Sequence, residues 1–396
     1  MLHCHLHRVG LLNLQSFMLF QSEFDRCIIS WLIVGFLANS PALNAQTPVV
    51  TQTNVVIRVM ASNLNGDSQK YGPPQVRILQ GLRPDIAAMQ EFNYSNNTPA
   101  QLRAFVDTAF GTNFVYFRET SGTETYSIPN GIVSRYPFVN VGNWDDTLIP
   151  DRGFAWAQID IPGTNDIYVV SVHLKASNGY ESTRATEAAN LKTLIQTNFP
   201  PNAFVIVAGD LNTQTRSSSS EPCLATFYTF LSDNPVPTDA ESGGDPDTNL
   251  NRNKPYDYVL PGFALTNALT NVVFASHSFA NGLVFDSRVY TPLSDTAPVQ
   301  FNDATNCQHM GVVKDFSIPC SVTNFITVPQ PLLVMQIPGI LSWSGASNLA
   351  YTVQVKTNLT DTGWFTVGTV TSSTTNYSFT NFAPEATQRF YRVTCP

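Results

Sequence analysis

The chain has 396 residues, of which 43% are hydrophobic and 13% are charged. This composition is typical of a globular protein of roughly two to three domains and excludes a disordered chain or a coiled coil. The formal net charge of -8 excludes a strongly basic protein that would hold nucleic acid through its overall charge. A polyanionic ligand would therefore have to be held by a local group of basic residues.

An apolar stretch near the N-terminus, residues 28–38 (IISWLIVGFLA), follows Arg26 and precedes the small residues of SPALNA. It is too short to cross a bilayer, and it predicts a secretory signal peptide cleaved near Ala45, with Met18 as a candidate start. A buried N-terminal helix is the alternative. No later segment is long and apolar enough to span a membrane, so we expect a secreted protein without a transmembrane segment.

After the predicted signal peptide, the composition divides the chain into residues 46–324, a linker at 325–335 and a final segment at 336–396. The final segment carries few charges, and polar turns separate its alternating runs, such as YTVQVKTNL and YSFTNF. This pattern predicts a small all-β sandwich without a catalytic residue. A spacer and a module that binds a surface or glycan ligand are both compatible with it.

In residues 46–324, helix-like and strand-like patterns alternate. Proline, N-cap residues at Thr98 and Ser182, and apolar periodicity predict helices at 73–82, 98–110, 182–199 and 221–231. At least nine strands are predicted, namely VVIRVMASNL, DIAAMQE, NFVYF, NGIVS, GFAWAQIDI, IYVVSVHL, AFVIVAGDL, YDYVL and MGVVKDF. Several of them are apolar on both faces, as expected for a sheet covered by helices on one side and by a second sheet on the other.

Four cysteines lie outside the predicted signal peptide, namely Cys223, Cys307, Cys320 and Cys395. A strand between Cys307 and Cys320 would hold them about 40 Å apart, beyond the reach of a disulfide. We therefore expect disulfides between Cys320 and Cys395 and between Cys223 and Cys307. The spacing of these cysteines is not that of a zinc site.

Polar residues lie at the ends of the predicted buried strands, namely Asn63, Glu91, His173, Asp210, Asp257 and His309. Asp210 and Asn212 alternate around Leu211, which would place both side chains on one side of a strand. A buried carboxylate needs a partner, and ligands commonly bind at the ends of strands in layered α/β proteins. Together these residues predict a single site.

The residue types in this set favour one chemistry. Carboxylate and amide oxygens suit Mg²⁺ or Mn²⁺, which keep coordination positions open for water and phosphate oxygens. Imidazoles beside carboxylates suit proton transfer, so the set predicts attack by an activated water on a phosphate ester. The sequence contains no GxSxG, GxxxxGK[ST], HExxH or CxxC motif that would indicate a competing chemistry.

Seven motifs occur in a familiar order, namely ASNLN, MQE, NGIVSRYP, VHL, GDLN, YDYVL and QHMGVVKDF. In this order the sequence, over residues 55–317, resembles the endonuclease/exonuclease/phosphatase superfamily. That superfamily includes deoxyribonuclease I, abasic-site endonucleases, inositol-polyphosphate phosphatases and bacterial sphingomyelinases. The resemblance implies a four-layer α/β sandwich, in which two facing mixed β-sheets are flanked by helices and the site lies at one open edge.

The resemblance also implies which residues would bind the metal and which would transfer the proton. Glu91, with Asn63 nearby, would hold the divalent metal, Mg²⁺ or Mn²⁺. Asp257 would orient and polarise His309 as the general base that accepts a proton from water.

The remaining implied roles concern the phosphate. Asp210 and Asn212 would position the nucleophile and the phosphate, and His173 would bind a phosphoryl oxygen. Arg152, in DRGFAWAQI, lies where many members of the superfamily have a basic residue that contacts phosphate.

The sequence departs from the superfamily at Gln308, where the last motif usually has an aspartate before the histidine. An amide is a neutral and weaker metal ligand than a carboxylate. We expect His277 to be a loop histidine near the site, and Asp286 is a further candidate carboxylate.

The sequence therefore predicts a secreted, metal-dependent hydrolase of phosphate esters, with a nuclease or phosphodiesterase as the leading hypothesis. Residues 46–324 contain 16 Lys and Arg against 25 Asp and Glu, so nucleic acid would need a local basic rim. A phosphodiesterase or phosphatase for a phospholipid or small molecule, similar to sphingomyelinases, is the first alternative. The second is a catalytically inactive surface- or carbohydrate-binding protein, which Gln308 would favour.

Overall fold

A computed structural model describes residues 45–66, 68–120, 127–163, 165–241, 243–275, 277–328, 334–336, 340–358, 360, 362–380 and 389–394. The chain forms two compact units, one of which is Val49–Asn324 and the other of which includes Phe325–Pro396. Most of the predicted signal peptide and part of the predicted linker, residues 1–44 and 329–333, lie outside the described residues.

The first unit contains helices and strands that alternate along the chain. The helices are α1 (Pro73–Leu82), α2 (Pro99–Ala109), α3 (Glu181–Asn198) and α4 (Pro222–Phe227). The strands are β1 (Ala45–Ser62), β2 (Ile86–Met89), β3 (Val115–Arg118), β4 (Gly131–Ser134), β5 (Phe138–Asp145), β6 (Gly153–Ile159), β7 (Ile167–His173), β8 (Phe204–Asp210), β9 (Asp257–Pro261), β10 (Leu269–Thr270), β11 (Val272–Phe274), β12 (His277–Phe279), β13 (Leu283–Phe285) and β14 (Gly311–Val328).

Two mixed sheets form the centre of this unit. The first sheet has the strand order β10-β14-β1-β2-β4-β3, with β13 also paired to β14, and the second has the order β5-β6-β7-β8-β9. In the first sheet, β1 and β2 are parallel while β2 and β4 are antiparallel. In the second sheet, β7 and β8 are parallel while β8 and β9 are antiparallel. The predicted mixed sheets are confirmed.

The two sheets face each other and share a buried core. Side chains from both sheets, such as Ile57, Val169 and Ile206, belong to one hydrophobic cluster, which also takes in Leu79 of α1 and Phe105 of α2. A second cluster packs α3 and α4 against the second sheet. All four residues of β2 are buried, as required of a strand covered on both faces. The predicted four-layer α/β sandwich is confirmed.

Polar side chains also join the two sheets. Gln90, which directly follows β2, donates from Nε2 to Ser171 Oγ of β7 at 2.8 Å. Ser171 Oγ in turn donates to the backbone oxygen of Met89 at 3.0 Å. The side chains of all three residues are buried. These hydrogen bonds fix the second sheet against the end of β2, next to the candidate site.

The sequence located the predicted helices to within a few residues. Thr98 caps α2 as expected, since its Oγ1 accepts the backbone N–H of Gln101 at 3.3 Å. The expected cap at Ser182 is wrong, because α3 begins at Glu181 and its N-cap residue, Tyr180, makes no side-chain capping bond. All nine predicted strands are present, whereas β5, with the sequence FVNVGNWD, was not predicted because Asn and Gly disfavour strands.

The predicted disulfide between Cys223 and Cys307 is wrong. Both are free thiols, and they are buried in different hydrophobic clusters: Cys223 lies on α4 in the cluster shared with α3, and Cys307 lies in the core between the sheets. Cys320, on β14, is also free, and Cys395 lies outside the described residues. The strand expected between Cys307 and Cys320 is present as β14. Excluding a disulfide between these two cysteines did not show that the remaining cysteines pair with each other.

The second unit consists of short strands. They are β15 (Val334–Gln336), β16 (Ile340–Ser344), β17 (Ala350–Lys356), β18 (Phe365–Thr371), β19 (Asn376–Thr380) and β20 (Phe390–Thr394). They form two antiparallel sheets, β15-β16-β19 and β18-β17-β20, around a small core that contains Trp343, Tyr351 and Tyr377. The predicted all-β sandwich is confirmed, and its ligand stays a prediction. In the part of the chain that the structure describes, no helix is long and apolar enough to cross a membrane.

Gly209 lies where the second sheet approaches the end of β2. It has a φ of +142°, and a Cβ atom there would lie 2.1 Å from the Val172 oxygen and 2.6 Å from Gln90 Nε2. We expect Gly209→Ala to lower the free energy of unfolding by about 3 kcal/mol or more, because strain and backbone overlap add together. Urea unfolding of the full chain measures this loss.

The matched control is Gly179→Ala, since Gly179 also has a positive φ, +85°, but a Cβ atom there would meet nothing within 4 Å. This variant should lose only about 1 kcal/mol from backbone strain. Equal losses in the two variants would contradict the proposed overlap at Gly209.

Candidate active site

The candidate site lies where strands of both sheets begin or end. In the second sheet, His173 ends β7, Asp210 ends β8 and Asp257 begins β9. His173 and Asp257 are both register partners of Asp210 on the neighbouring strands. Beside the first sheet, Asn63 directly follows β1, and Glu91 is the second residue after the end of β2. The structure therefore places these predicted residues at one edge of the two sheets.

Asp210 lies at the centre of this group and is only 1% exposed. Its carboxylate accepts hydrogen bonds from Asn63 Nδ2 at 2.9 Å and from the backbone N–H of Asn212 at 2.7 Å. Ring nitrogens of His173 and His309 lie 3.3 Å and 3.8 Å from its Oδ2. Burial, aided by the nearby Asp257 carboxylate, raises the pKa of Asp210 to about 7 despite the opposing effect of His309.

Asn212 lies next to Asp210, but the strand alternation predicted from the sequence is not what places it there. It lies beyond the end of β8 with a φ of +51°, so the strand alternation with Asp210 does not continue to it. Its Nδ2 donates to the Leu174 backbone oxygen at 3.0 Å. Asparagine tolerates this left-handed conformation, and its backbone N–H contacts Asp210 while its side chain joins the residues that follow β7.

His309 and Asp257 form a buried pair, in which His309 Nδ1 lies 2.8 Å from Asp257 Oδ2. The same carboxylate oxygen accepts a hydrogen bond from Thr248 Oγ1 at 2.7 Å. Burial disfavours the charged imidazole, but the Asp257 and Asp210 carboxylates outweigh burial and raise the pKa of His309 to about 9. Thr248 was not predicted, because nothing in its local sequence marks it as a neighbour of Asp257.

The surroundings of His173 lower its pKa, in contrast to those of His309, which raise the pKa. Arg152 directly precedes β6, and its Nη1 lies 3.1 Å and 3.0 Å from the two ring nitrogens of His173. Both side chains are buried. Burial, followed by the repulsion of the Arg152 charge, holds the pKa of His173 well below its ordinary value. The site thus combines a neutral imidazole beside a guanidinium with an imidazole that carries a proton.

Glu91 pairs with a residue that was not predicted, Asn65. Asn65 Nδ2 donates to the Glu91 backbone oxygen at 2.6 Å, and burial raises the pKa of the Glu91 carboxyl. Among the described residues, Glu91 Oε2 and Asn65 Oδ1 are buried oxygens without a hydrogen-bond donor. Such oxygens fit a hard divalent cation, because a cation would supply the missing partner.

The two residues of the predicted metal pair, Glu91 and Asn63, make different contacts, and their joint role in binding a metal stays a prediction. Asn63 contacts Asp210 through its amide nitrogen, whereas Glu91 contacts Asn65. A second group of possible ligand atoms, from Asp210, Asp257 and His309, lies within 4.8 Å of one another. An ion there would compete with the hydrogen bond between His309 and Asp257, so the Glu91 and Asn65 oxygens are the better fit.

The two weaker candidates lie in other environments. His277 is 40% exposed on β12, and its Nδ1 lies 2.8 Å from Asp295 Oδ2. The Asp286 carboxylate is bound by Arg288 at 2.6 Å and lies 3.7 Å from Arg252. Because two guanidinium groups neutralise Asp286, it is a structural ion-pair residue rather than a candidate metal ligand.

This layered fold, with its buried carboxylates and imidazoles at one sheet edge, defines a class of hydrolases that act on phosphate esters. The model of the Endonuclease/Exonuclease/phosphatase family matches residues 60–294, which is more than half of the chain. The protein belongs to this family, and it is a hydrolase of phosphate ester bonds, as the family's members are.

Similar solved structures share little sequence identity with the chain. The endonuclease/exonuclease/phosphatase from Beutenbergia cavernae DSM 12333 is 15% identical with a TM-score of 0.42, over 86% of this chain and 100% of that chain. An AP endonuclease from Archaeoglobus fulgidus is 15% identical with a TM-score of 0.42, over 66% and 99% of the two chains. A 3′ phosphatase from Neisseria bound to a product DNA hairpin is 17% identical with a TM-score of 0.42, over 66% and 99%. No curated protein matches the sequence.

Glu119 supports the backbone beside Arg152. It is fully buried, and its Oε1 accepts the backbone N–H groups of Asn130 at 2.5 Å and of Gly153 at 3.1 Å. Burial raises the pKa of Glu119 from 4.5 to about 7. The folded protein therefore holds a proton on Glu119 over a pH range in which the unfolded chain has released it.

This difference predicts a pH-dependent stability. As pH rises from 4.5 towards 7, the wild type should lose free energy of unfolding, because unfolding releases the proton that folded Glu119 holds, and this release becomes more favourable as pH rises. Glu119→Gln keeps the acceptor oxygen but does not titrate. Over this pH range the free energy of unfolding of the wild type should therefore fall by up to about 3 kcal/mol relative to that of the variant. Urea unfolding of both proteins from about pH 5 to pH 8 measures the difference. Parallel pH curves for the two proteins would rule out this role of Glu119.

Proposed function

We propose that the protein is a divalent-metal-dependent phosphodiesterase that hydrolyses its substrate with an activated water, and that its substrate is nucleic acid. The observation that supports this most directly is the buried pair of His309 and Asp257 beside the Asp210 carboxylate. An oriented imidazole next to a carboxylate that binds the nucleophile is the arrangement that proton transfer from water requires.

Each group in the site then has a role that its contacts support. Asp257 holds the His309 ring through Nδ1, and Nε2 takes the proton of the reacting water when the imidazole is neutral. Asp210, fixed by Asn63, orients that water. Neutral His173 and the adjacent Arg152 bind the phosphoryl oxygens, on which negative charge increases in the transition state.

Glu91 and Asn65 would hold a divalent cation, Mg²⁺ or Mn²⁺. When bound, this ion neutralises charge on the phosphate and offsets the carboxylates that hold the pKa of His309 high. Gln308 lies next to this pair, since its backbone N–H donates to the backbone oxygen of Asn65 at 2.7 Å. Its neutral amide would add a weaker ligand than a carboxylate, which favours one tightly held metal over two.

The substrate is the least constrained part of the proposal. The matching family includes both nucleases and phosphatases, and the excess of acidic residues in 46–324 opposes tight binding of a long polyanion. A phospholipid or small-molecule phosphodiesterase is the alternative that this charge balance favours. A catalytically inactive binding protein is the alternative that Gln308 favours.

Hydrolysis assays test the proposal directly. The full chain is assayed on plasmid DNA, bis-p-nitrophenyl phosphate, p-nitrophenyl phosphate and sphingomyelin, with Mg²⁺, with Mn²⁺ and with EDTA. We expect EDTA to abolish turnover and His309→Ala to lower kcat by about 10²- to 10⁴-fold, because the imidazole that accepts the proton is lost.

The matched control is His277→Ala, which removes a histidine from a similar pair with Asp295 outside the site. It should leave kcat unchanged. DNA cleavage that weakens steeply with added salt would support the nuclease, and turnover of small or lipid substrates alone would refute it. No turnover of any substrate by folded protein would refute the enzyme and favour the binding protein.

We further propose that the protein is exported and loses a signal peptide near Ala45. The apolar run at residues 28–38 and the small residues that follow it support this proposal. Mass spectrometry of the protein from the medium of an expressing bacterial culture should give an N-terminus close to Ala45. An intact leader on protein that remains inside the cells would contradict it.

A further inference from the structure

A loop between α4 and β9 is organised around one partly buried arginine, Arg252. We call residues 239–252 the Arg252 loop; residue 242 lies outside its described part. The loop contains three aspartates, Asp239, Asp245 and Asp247, within nine residues. Their carboxylates would repel one another in the absence of a cation.

The Arg252 guanidinium supplies that cation. It donates to Asp239 Oδ2 at 2.6 Å, to the backbone oxygen of Asp245 at 3.0 Å and to the backbone oxygen of Asp247. The carboxylates of Asp245 and Asp286 lie 3.5 Å and 3.7 Å from it. The Arg252 side chain is 13% exposed and that of Asp239 is 2% exposed, so solvent screens these contacts little.

The same loop holds the pair of His309 and Asp257. Thr248 Oγ1 donates to Asp257 Oδ2 at 2.7 Å and accepts the Asp257 backbone N–H at 2.8 Å. Asn249 forms an antiparallel β-bridge with His309, and the backbone oxygen of Thr248 accepts the backbone N–H of Met310 at 2.6 Å. The loop therefore contacts both members of the pair, through a side chain and through backbone.

We propose that Arg252 is a positioning residue for catalysis, which fixes the loop in the shape that aligns His309 with Asp257. This proposal rests on the proposed function, because it assigns an effect on the proton-transfer step. Arg252 itself contacts neither member of the pair in any described hydrogen bond, and it acts through Thr248 and Asn249.

The shape of the guanidinium explains why this position needs arginine. Its planar group has five N–H donors, which allows one side chain to bind a carboxylate and two backbone oxygens in different directions. A lysine ammonium is a compact charge with three donors, so Arg252→Lys should keep the charge and lose part of the geometry.

The chain offers a closely matched control at Arg58, on β1. Its Nη2 lies 2.8 Å from Asp315 Oδ2, and its guanidinium also donates to the backbone oxygens of Leu82 and Val273, each at 3.0 Å. The side chains of Arg58 and Asp315 are 13% and 3% exposed, compared with 13% and 2% for Arg252 and Asp239. Arg58 thus has the same kind of environment without contact to the Arg252 loop.

The first experiment compares Arg252→Met with Arg58→Met in the full chain, by kinetics and by urea unfolding. We expect both variants to lose stability, because each leaves a buried aspartate unpaired. Only Arg252→Met should also lose kcat, by about 10²-fold with little change in KM, because a small displacement of a catalytic group has a cost of this size. Arg252→Lys should recover part of kcat. Equal kcat losses in the two Met variants would overturn the proposal.

A double-mutant cycle with Thr248→Val shows whether Arg252 acts through the loop. If both residues act by aligning Asp257, the double variant should lose little more kcat than the more affected single variant. Losses that multiply would mean that the two residues act independently, and would overturn the proposal.

A measurement without turnover separates this proposal from the proposed function. The His309 Nδ1 proton, hydrogen-bonded to Asp257, should give a far-downfield NMR signal that is assigned through its absence in His309→Gln. This signal should broaden or vanish in Arg252→Met and persist in Arg58→Met. If the wild type hydrolyses no phosphate ester, the proposed function fails, while this comparison still decides the role of Arg252; an unchanged signal in Arg252→Met would refute it.

Discussion

The Asp210 carboxylate is the constraint on which the site depends. It is almost completely buried, and a buried carboxylate is tolerated only where donors or cations surround it. Its partners come from separate parts of the chain: Asn63 after β1, His173 at the end of β7 and His309 before β14. Satisfying this one group therefore brings together the ends of strands from both sheets, and the candidate site forms around it.

Sequence patterns could predict the layers and most of the site, because both depend on local signals. Apolar runs that end in polar residues marked Asp210, His173 and Glu91, and the same runs indicated sheets covered on both faces. Contacts between distant loops carry no such signal. Thr248 and Asn65 were missed for this reason, since each is identified only by the residue it meets in the folded chain.

His309 and His173 lie in the same site, but their surroundings shift their pKa values in opposite directions. His309 faces carboxylates that raise its pKa to about 9, whereas burial and Arg152 hold the pKa of His173 well below its ordinary value. Near neutral pH and without a bound cation, His309 therefore carries a positive charge and His173 is neutral, although ring nitrogens of the two lie 3.8 Å and 3.3 Å from the same Asp210 oxygen. The same residue type thus supplies a charged and an uncharged imidazole within one site.

The buried contact between Gln90 and Ser171 has a consequence for how the protein assembles. Apolar faces alone would allow two sheets to slide past each other by a few ångströms with little loss, because hydrophobic contact has no direction. A slipped arrangement would leave the Gln90 amide and the Ser171 hydroxyl buried without partners, at a cost of about 1–3 kcal/mol each. The contact between Gln90 and Ser171 thus favours one alignment of the two sheets over slipped ones, and this alignment brings the ends of β2, β7 and β8 to the same place.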